Sequence, residues 1–315
     1  MPRIINWLLG LIILNPICLR LIGGGSKRSR HLLLRSGYLA IMIIVLLALL
    51  VESSGTESLQ QLAAGGANAF ATVAYIQLAL ICLLAPVFMA GAIAQEANPR
   101  TWDILLTTPL TSLQIVLGNL FGRLFFVLAL LVSSLPLFAV TQLFGGVPGE
   151  SIFISYAIAA VTSLVVGVIA ITLSCTRQAG RRAVFLFYIG VVTYLALTWS
   201  LDLLLRQSDP LGLGRTTCAT PLNPFLAQNV LFGAENYRAW GATELIGAGW
   251  FTRLWLGSPI LAYCLLGSML SVGLMAYSTL ALRLIGTRVS GRAPLWQRIL
   301  KLRTKGVGQR PSRTV

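Results

Sequence analysis

Long apolar runs broken by short polar connections set the pattern of this 315-residue chain. A bilayer core about 30 Å thick is crossed by roughly 17–25 predominantly apolar residues in a helix, since no water is there to pair with an open backbone. Six stretches meet that requirement: Leu32–Val51, Ala69–Gln95, Arg123–Leu143, Ile152–Ser174, Ala183–Leu205 and Pro259–Leu284. The pattern predicts an all-α integral membrane protein with about six transmembrane helices. Pro86 and Pro136 fall inside predicted spans, where neighbouring helices can re-satisfy the freed carbonyls around a kink.

Around the third block the apolar pattern continues from Leu113 to Phe144, about 48 Å as a single helix, so part of it must project from the hydrocarbon. Arg123 marks the level: a cation near the interface can snorkel, which puts Leu113–Gly122 at or below the headgroups. A substrate-binding charge inside the membrane is the other reading of Arg123. At the N-terminus, Ile4–Leu14 is too short to span alone. It is expected to lie along the cytoplasmic leaflet, with a seventh span and an external N-terminus as the alternative. Asn15-Pro16 follows it with no small-residue cleavage site, so the segment reads as an uncleaved leader. The longest connection, 206–258, contains two half-apolar pieces, Pro221–Phe232 and Leu245–Leu256, suited to re-entrant or interfacial helices on the external side.

Charge gives these blocks a direction. Lys and Arg crowd ahead of the first span (Arg3, Arg20, Lys27, Arg28, Arg30, Arg35), between the fourth and fifth (Arg177, Arg181, Arg182) and beyond the sixth, whereas Glu52–Asn68 and Phe144–Ser151 have none. The positive-inside rule makes both termini and the 96–112 connection cytoplasmic. The organisation expected is an N-terminal cytoplasmic or interfacial segment at 1–31, a six-span domain at 32–286 and a basic cytoplasmic tail at 287–315. Composition agrees: 56% of residues are hydrophobic and 10% charged, with mean hydropathy +0.82. The net charge of +15 follows from positive-inside retention, and no nucleic-acid recognition module accompanies it. Five cysteines form neither a disulfide framework nor a CxxC metal pair.

Membrane enzymes need a nucleophile, an acid–base pair or a metal cluster. His31 is the single histidine and lies in a basic run, so there is no HExxH. Asp202 is the one acidic residue within a predicted span. Arg206 follows one turn later, and an ion pair near the outer surface accounts for both, a transport role being the alternative. Gly23-Gly24-Gly25-Ser26-Lys27 lacks P-loop spacing and reads as a flexible basic linker. The chain is therefore read as no enzyme, with no catalytic, metal or cofactor-binding residue. If ATP drives it, another chain binds the ATP.

Between the second and third spans the sequence is AQEANPRTWDILLTTPLTSLQIVLGNLFGR. Pro99 breaks or begins a helix, Thr101–Leu106 places Trp102, Leu105 and Leu106 on one face, Thr107-Thr108-Pro109 stops it, and Ser112 can cap the helix that re-enters the membrane. A mere connection needs two or three polar residues, so this knob has the look of a surface gripped by another protein.

The stretch resembles the cytoplasmic loop of ABC-2 type transporter permeases, which reads E-x-E-x-G-T-x-E-x-L-L-x-T-P-L before a polar or basic helix start. Glu96, Thr101, Asp103, Leu105, Leu106, Thr108, Pro109 and Leu110 match, and Ile115, Leu117 and Gly118 continue the pattern. Asn98 replaces the second glutamate and Arg100 the glycine. Asn15-Pro16-Ile17 with Arg20 is similar to the start of the family's N-terminal cytoplasmic helix, and the basic turn 177–182 and Asn223-Pro224-Phe225 also have counterparts there. The resemblance implies a plasma or inner membrane permease subunit, expected to be an exporter. It would pair with a second permease copy or a related permease, contact membrane lipids, and dock through Glu96, Thr101, Trp102, Asp103, Leu105, Leu106, Thr108 and Pro109 on a cytosolic ATPase that binds ATP and Mg. A non-transporting scaffold or mechanical-coupling subunit is the alternative.

Overall fold

The computed structural model describes residues 15–26, 29–53, 58–96, 111–143, 146–175, 181–207, 215–233, 237–241 and 243–289. They build an all-helical membrane domain, without a β-strand among the described residues. The helices are α1 (Pro16–Ser26), α2 (Ser29–Ser53), α3 (Leu59–Glu96), α4 (Ser112–Leu143), α5 (Gly149–Cys175), α6 (Arg181–Gln207), α7 (Pro224–Phe232) and α8 (Pro259–Val289). Six of them, α2 to α6 and α8, are long and apolar enough to cross a membrane, so the chain is a multi-pass membrane protein.

Three helix ends depart from the expectations. α3 starts at Leu59 rather than near Ala69, because the Leu/Gln/Ala run favours helix and the Ser58 hydroxyl accepts the Gln61 N–H at 3.2 Å. The cap of α4 is Thr111 rather than Ser112, which is the first helical residue: Thr111 Oγ1 accepts the Gln114 N–H (3.3 Å) while Gln114 Oε1 accepts the Thr111 N–H (2.9 Å), a reciprocal capping box. The glycines read as a linker belong to the last turns of α1. Packing of Cys18 and Leu21 on α4 holds that helix, and tertiary contact outweighs the low helix propensity of glycine.

α3, α4 and α5 form the centre, with 50%, 44% and 44% of their apolar windows buried; α2 and α6, at 17% and 11%, are peripheral. In lipid, close packing and internal hydrogen bonds hold helices together rather than water exclusion. Gly267 of α8 supplies one such approach, since a Cβ there would sit 2.6 Å from Val161 Cγ1 of α5. Thr172 and Ser278 hydroxyls, 2.8 Å apart, tie the same pair. A run of edge-to-face rings crosses the centre: Phe70 meets Phe138 (centroids 5.6 Å) and Phe232 (5.3 Å), and Phe138 meets Tyr156 (5.3 Å).

Candidate functional site

Arg123 lies where α3 and α4 leave the bundle. Its Nη1 donates to the Phe88 carbonyl of α3 at 2.8 Å. Leu143, at the other end of α4, is 20 residues or about 30 Å away, one hydrocarbon thickness. The guanidinium therefore serves as a boundary clamp between two helices. Beyond it α3 continues about 12 Å to Glu96 and α4 about 16 Å back to Ser112, at 1.5 Å per residue, as a two-helix stalk.

α1 clads this stalk. Asn15 is fully buried; its Oδ1 accepts the Ile17 N–H at 3.1 Å and its Nδ2 donates to the Gln114 carbonyl at 2.7 Å, joining the start of α1 to the first turn of α4. Gly118 makes the approach possible, since a Cβ there would lie 2.7 Å from Asn15 Oδ1. One turn on, a Cβ at Gly122 would meet the Leu21 side chain at 3.1 Å and Cys18 Cα at 3.3 Å. Burial in this seam pushes the Cys18 thiol pKa up.

Of the docking residues read from sequence, Thr101, Trp102, Asp103, Leu105, Leu106, Thr108 and Pro109 lie outside the described residues, as does Arg177. Glu96 is the last residue of α3, and Arg181 and Arg182 open α6; the side chains of these three also lie outside the described part. Arg20 is exposed on α1. The structure thus brings α1, the base of the 97–110 connection and Arg123 onto one side. Sequence reasoning missed the seat for α1, though Gly118-x-x-x-Gly122 was visible as two small residues at i, i+4.

On the opposite side, Asp202 of α6 is 1% exposed and fully engaged. Its Oδ2 pairs with Arg206 Nε at 2.8 Å, and its Oδ1 accepts from Thr217 Oγ1 (2.6 Å) and Tyr237 OH (2.8 Å). Arg206 stacks 3.7 Å above the Tyr237 ring. Burial, with the Asp202 charge adding to it, raises the Tyr237 phenol pKa. The expected ion pair is present as part of a clasp on the 215–257 connection, which explains both charges structurally.

That connection dips inward. Tyr194, midway along α6, donates from its hydroxyl to the Leu222 carbonyl at 2.6 Å, and Gln228 of α7 donates to Ser155 Oγ of α5 at 3.0 Å. α7 is re-entrant, whereas Trp250–Gly257 has no buried residue and displays Trp250 and Phe251. Among the described residues, no group of three His, Cys, Asp or Glu side chains could hold a metal ion.

No protein-family model matches the chain, and the search of curated proteins finds no match.

Proposed function

We propose that this chain is the permease subunit of an ATP-driven ABC transporter of the ABC-2 type, an exporter in the plasma or inner membrane. It works with a second copy or a related permease and docks on a separate cytosolic ATPase through 96–112. The observation that carries the reading is the TWDILLTTPL sequence in the connection between α3 and α4. Support comes from α1, whose Asn15-Pro16 start is fastened to the first turn of α4, beside the base of the knob. Partner ATPases binding ATP and Mg would close on nucleotide and displace the knobs. The Arg123–Phe88 clamp would pass that displacement into α3 and α4, opening a path between two permeases by alternating access.

The test is co-purification. Leu105→Asp combined with Leu106→Asp is expected to abolish recovery of the ATPase while membrane insertion stays intact. Unchanged recovery would sink the docking assignment. ATP-dependent movement of cargo in reconstituted vesicles separates export from a scaffold that uses the same docking.

A further inference from the structure

Between α5 and α6 the wall of the membrane domain is incomplete. A half-open cavity of about 210 Å³ passes behind α6 to reach Cys82 of α3 and Tyr263 of α8, under a roof of Pro221 and Leu222. A second hollow of about 320 Å³ shares Ile169, Val191 and Tyr194 with it and extends to Leu173 and Leu186. The joined groove runs from Leu186 to Leu195 along α6, nine residues or about 13 Å, close to the roughly 15 Å that one leaflet's chains occupy.

The hydroxyls on its walls are already engaged. Tyr263 OH donates to Thr162 Oγ1 at 2.7 Å, Thr162 donates to the Ile158 carbonyl at 2.7 Å, and Tyr194 donates to the Leu222 carbonyl at 2.6 Å. A buried water needs two to four polar partners and these nearly apolar walls offer few, while an empty space of this size forfeits the contacts of every side chain lining it. Hydrocarbon is what remains, and the bilayer supplies it at the groove's open edge. We propose that this groove is a binding site for one acyl chain of a membrane phospholipid, entering from the leaflet on the α1 side and wedging α6 against the re-entrant segment. The site is independent of the permease reading.

The test uses phosphatidylcholine vesicles doped with phosphatidylcholine bearing a diazirine in the distal half of one acyl chain, and maps the photo-adducts by mass spectrometry. Adducts are expected to concentrate on Thr162–Leu173, Leu186–Leu195 and the Tyr263–Leu270 turn. A Cβ at Gly190, which lines the groove, meets nothing within 4 Å, so Gly190→Phe adds a ring at the groove wall and should cut that labelling several-fold. Gly37→Phe, at an equally open position on α2, should leave it unchanged. Wild-type labelling spread evenly over the exposed faces of α2 and α6 would overturn the proposal. So would lipid adducts missing from the groove residues of the wild-type chain.

Discussion

Asparagine followed by proline opens two helices, α1 and α7, and each asparagine works in two directions. Asn15 caps Ile17 and donates to Gln114; Asn223 accepts the Phe225 N–H at 2.9 Å while its Nδ2 donates to the Leu195 carbonyl at 3.0 Å and to Thr198 Oγ1 at 2.8 Å. Proline at N1 has no N–H to leave open, and the asparagine Nδ2, a donor that the cap does not use, reaches the neighbouring helix. Asn15→Ala loses the cap, at about 1 kcal/mol, and the bond to Gln114, at about 0.5–1.5 kcal/mol, whereas Asn15→Asp keeps the cap but buries a carboxylate against the Gln114 carbonyl and costs more. Protease cleavage within α1 should accelerate in that order, and Gly118→Val should match or exceed Asn15→Ala; equal rates for all three and wild type would refute the seat. On the far side, Asp202→Ala removes the carboxylate that Arg206, Thr217 and Tyr237 share, a loss of about 1–3 kcal/mol, read as faster proteolysis in 215–233. The raised Tyr237 pKa fixes the sign of pH dependence. The protonated phenol is favoured in the fold, so its contribution is complete below the unfolded value of about 10 and is lost as pH rises through the folded value. Asp202–Arg206 was legible as an i, i+4 pair. Thr217 and Tyr237 were not, because they come from 15 and 35 residues away.

At the scale of elements, hydropathy located six helices because a bilayer admits few ways of crossing it. It located their ends less well. At the first turns of α3 and α4, capping by Ser58 and Thr111 and the docking of α1 set the limits instead. Hydropathy also cannot rank the spans, since a residue facing lipid and one facing another helix are both apolar. Leu78 of α3 is fully buried, while Leu197 of α6 is 64% exposed. Leu78→Ala should cost about 2 kcal/mol or more through the cavity it leaves, without the transfer contribution that water would add. Leu197→Ala should lie within about 0.5 kcal/mol of zero. Unfolding in mixed micelles gives both numbers, and equal costs would contradict α6 as the peripheral span. The knob at 97–110 was legible only as a motif, through spacing of Thr101, Leu105, Leu106 and Pro109 that hydropathy does not detect.

For the whole molecule the unequal charge of the loops and the packing make separate statements that meet at one cysteine. The structure puts Cys218, exposed in the 215–241 segment, on the side opposite α1 and the α3–α4 stalk. The positive-inside rule puts α1 and the stalk in the cytoplasm, so Cys218 should face outward. The other cysteines do not report the outer side: Cys18 is buried against α4, Cys82 and Cys264 lie within spans, and Cys175 ends α5 on the α1 side, so the permeabilised comparison uses Cys175→Ser. A membrane-impermeant maleimide applied to intact cells should therefore label the wild-type chain, and Cys218→Ser should remove that signal. If labelling required permeabilised cells, the orientation would be reversed and the 97–110 knob would lie where no cytosolic ATPase can reach it. The same thiol that fixes orientation thus decides whether the docking proposal is geometrically possible, before any partner has been isolated.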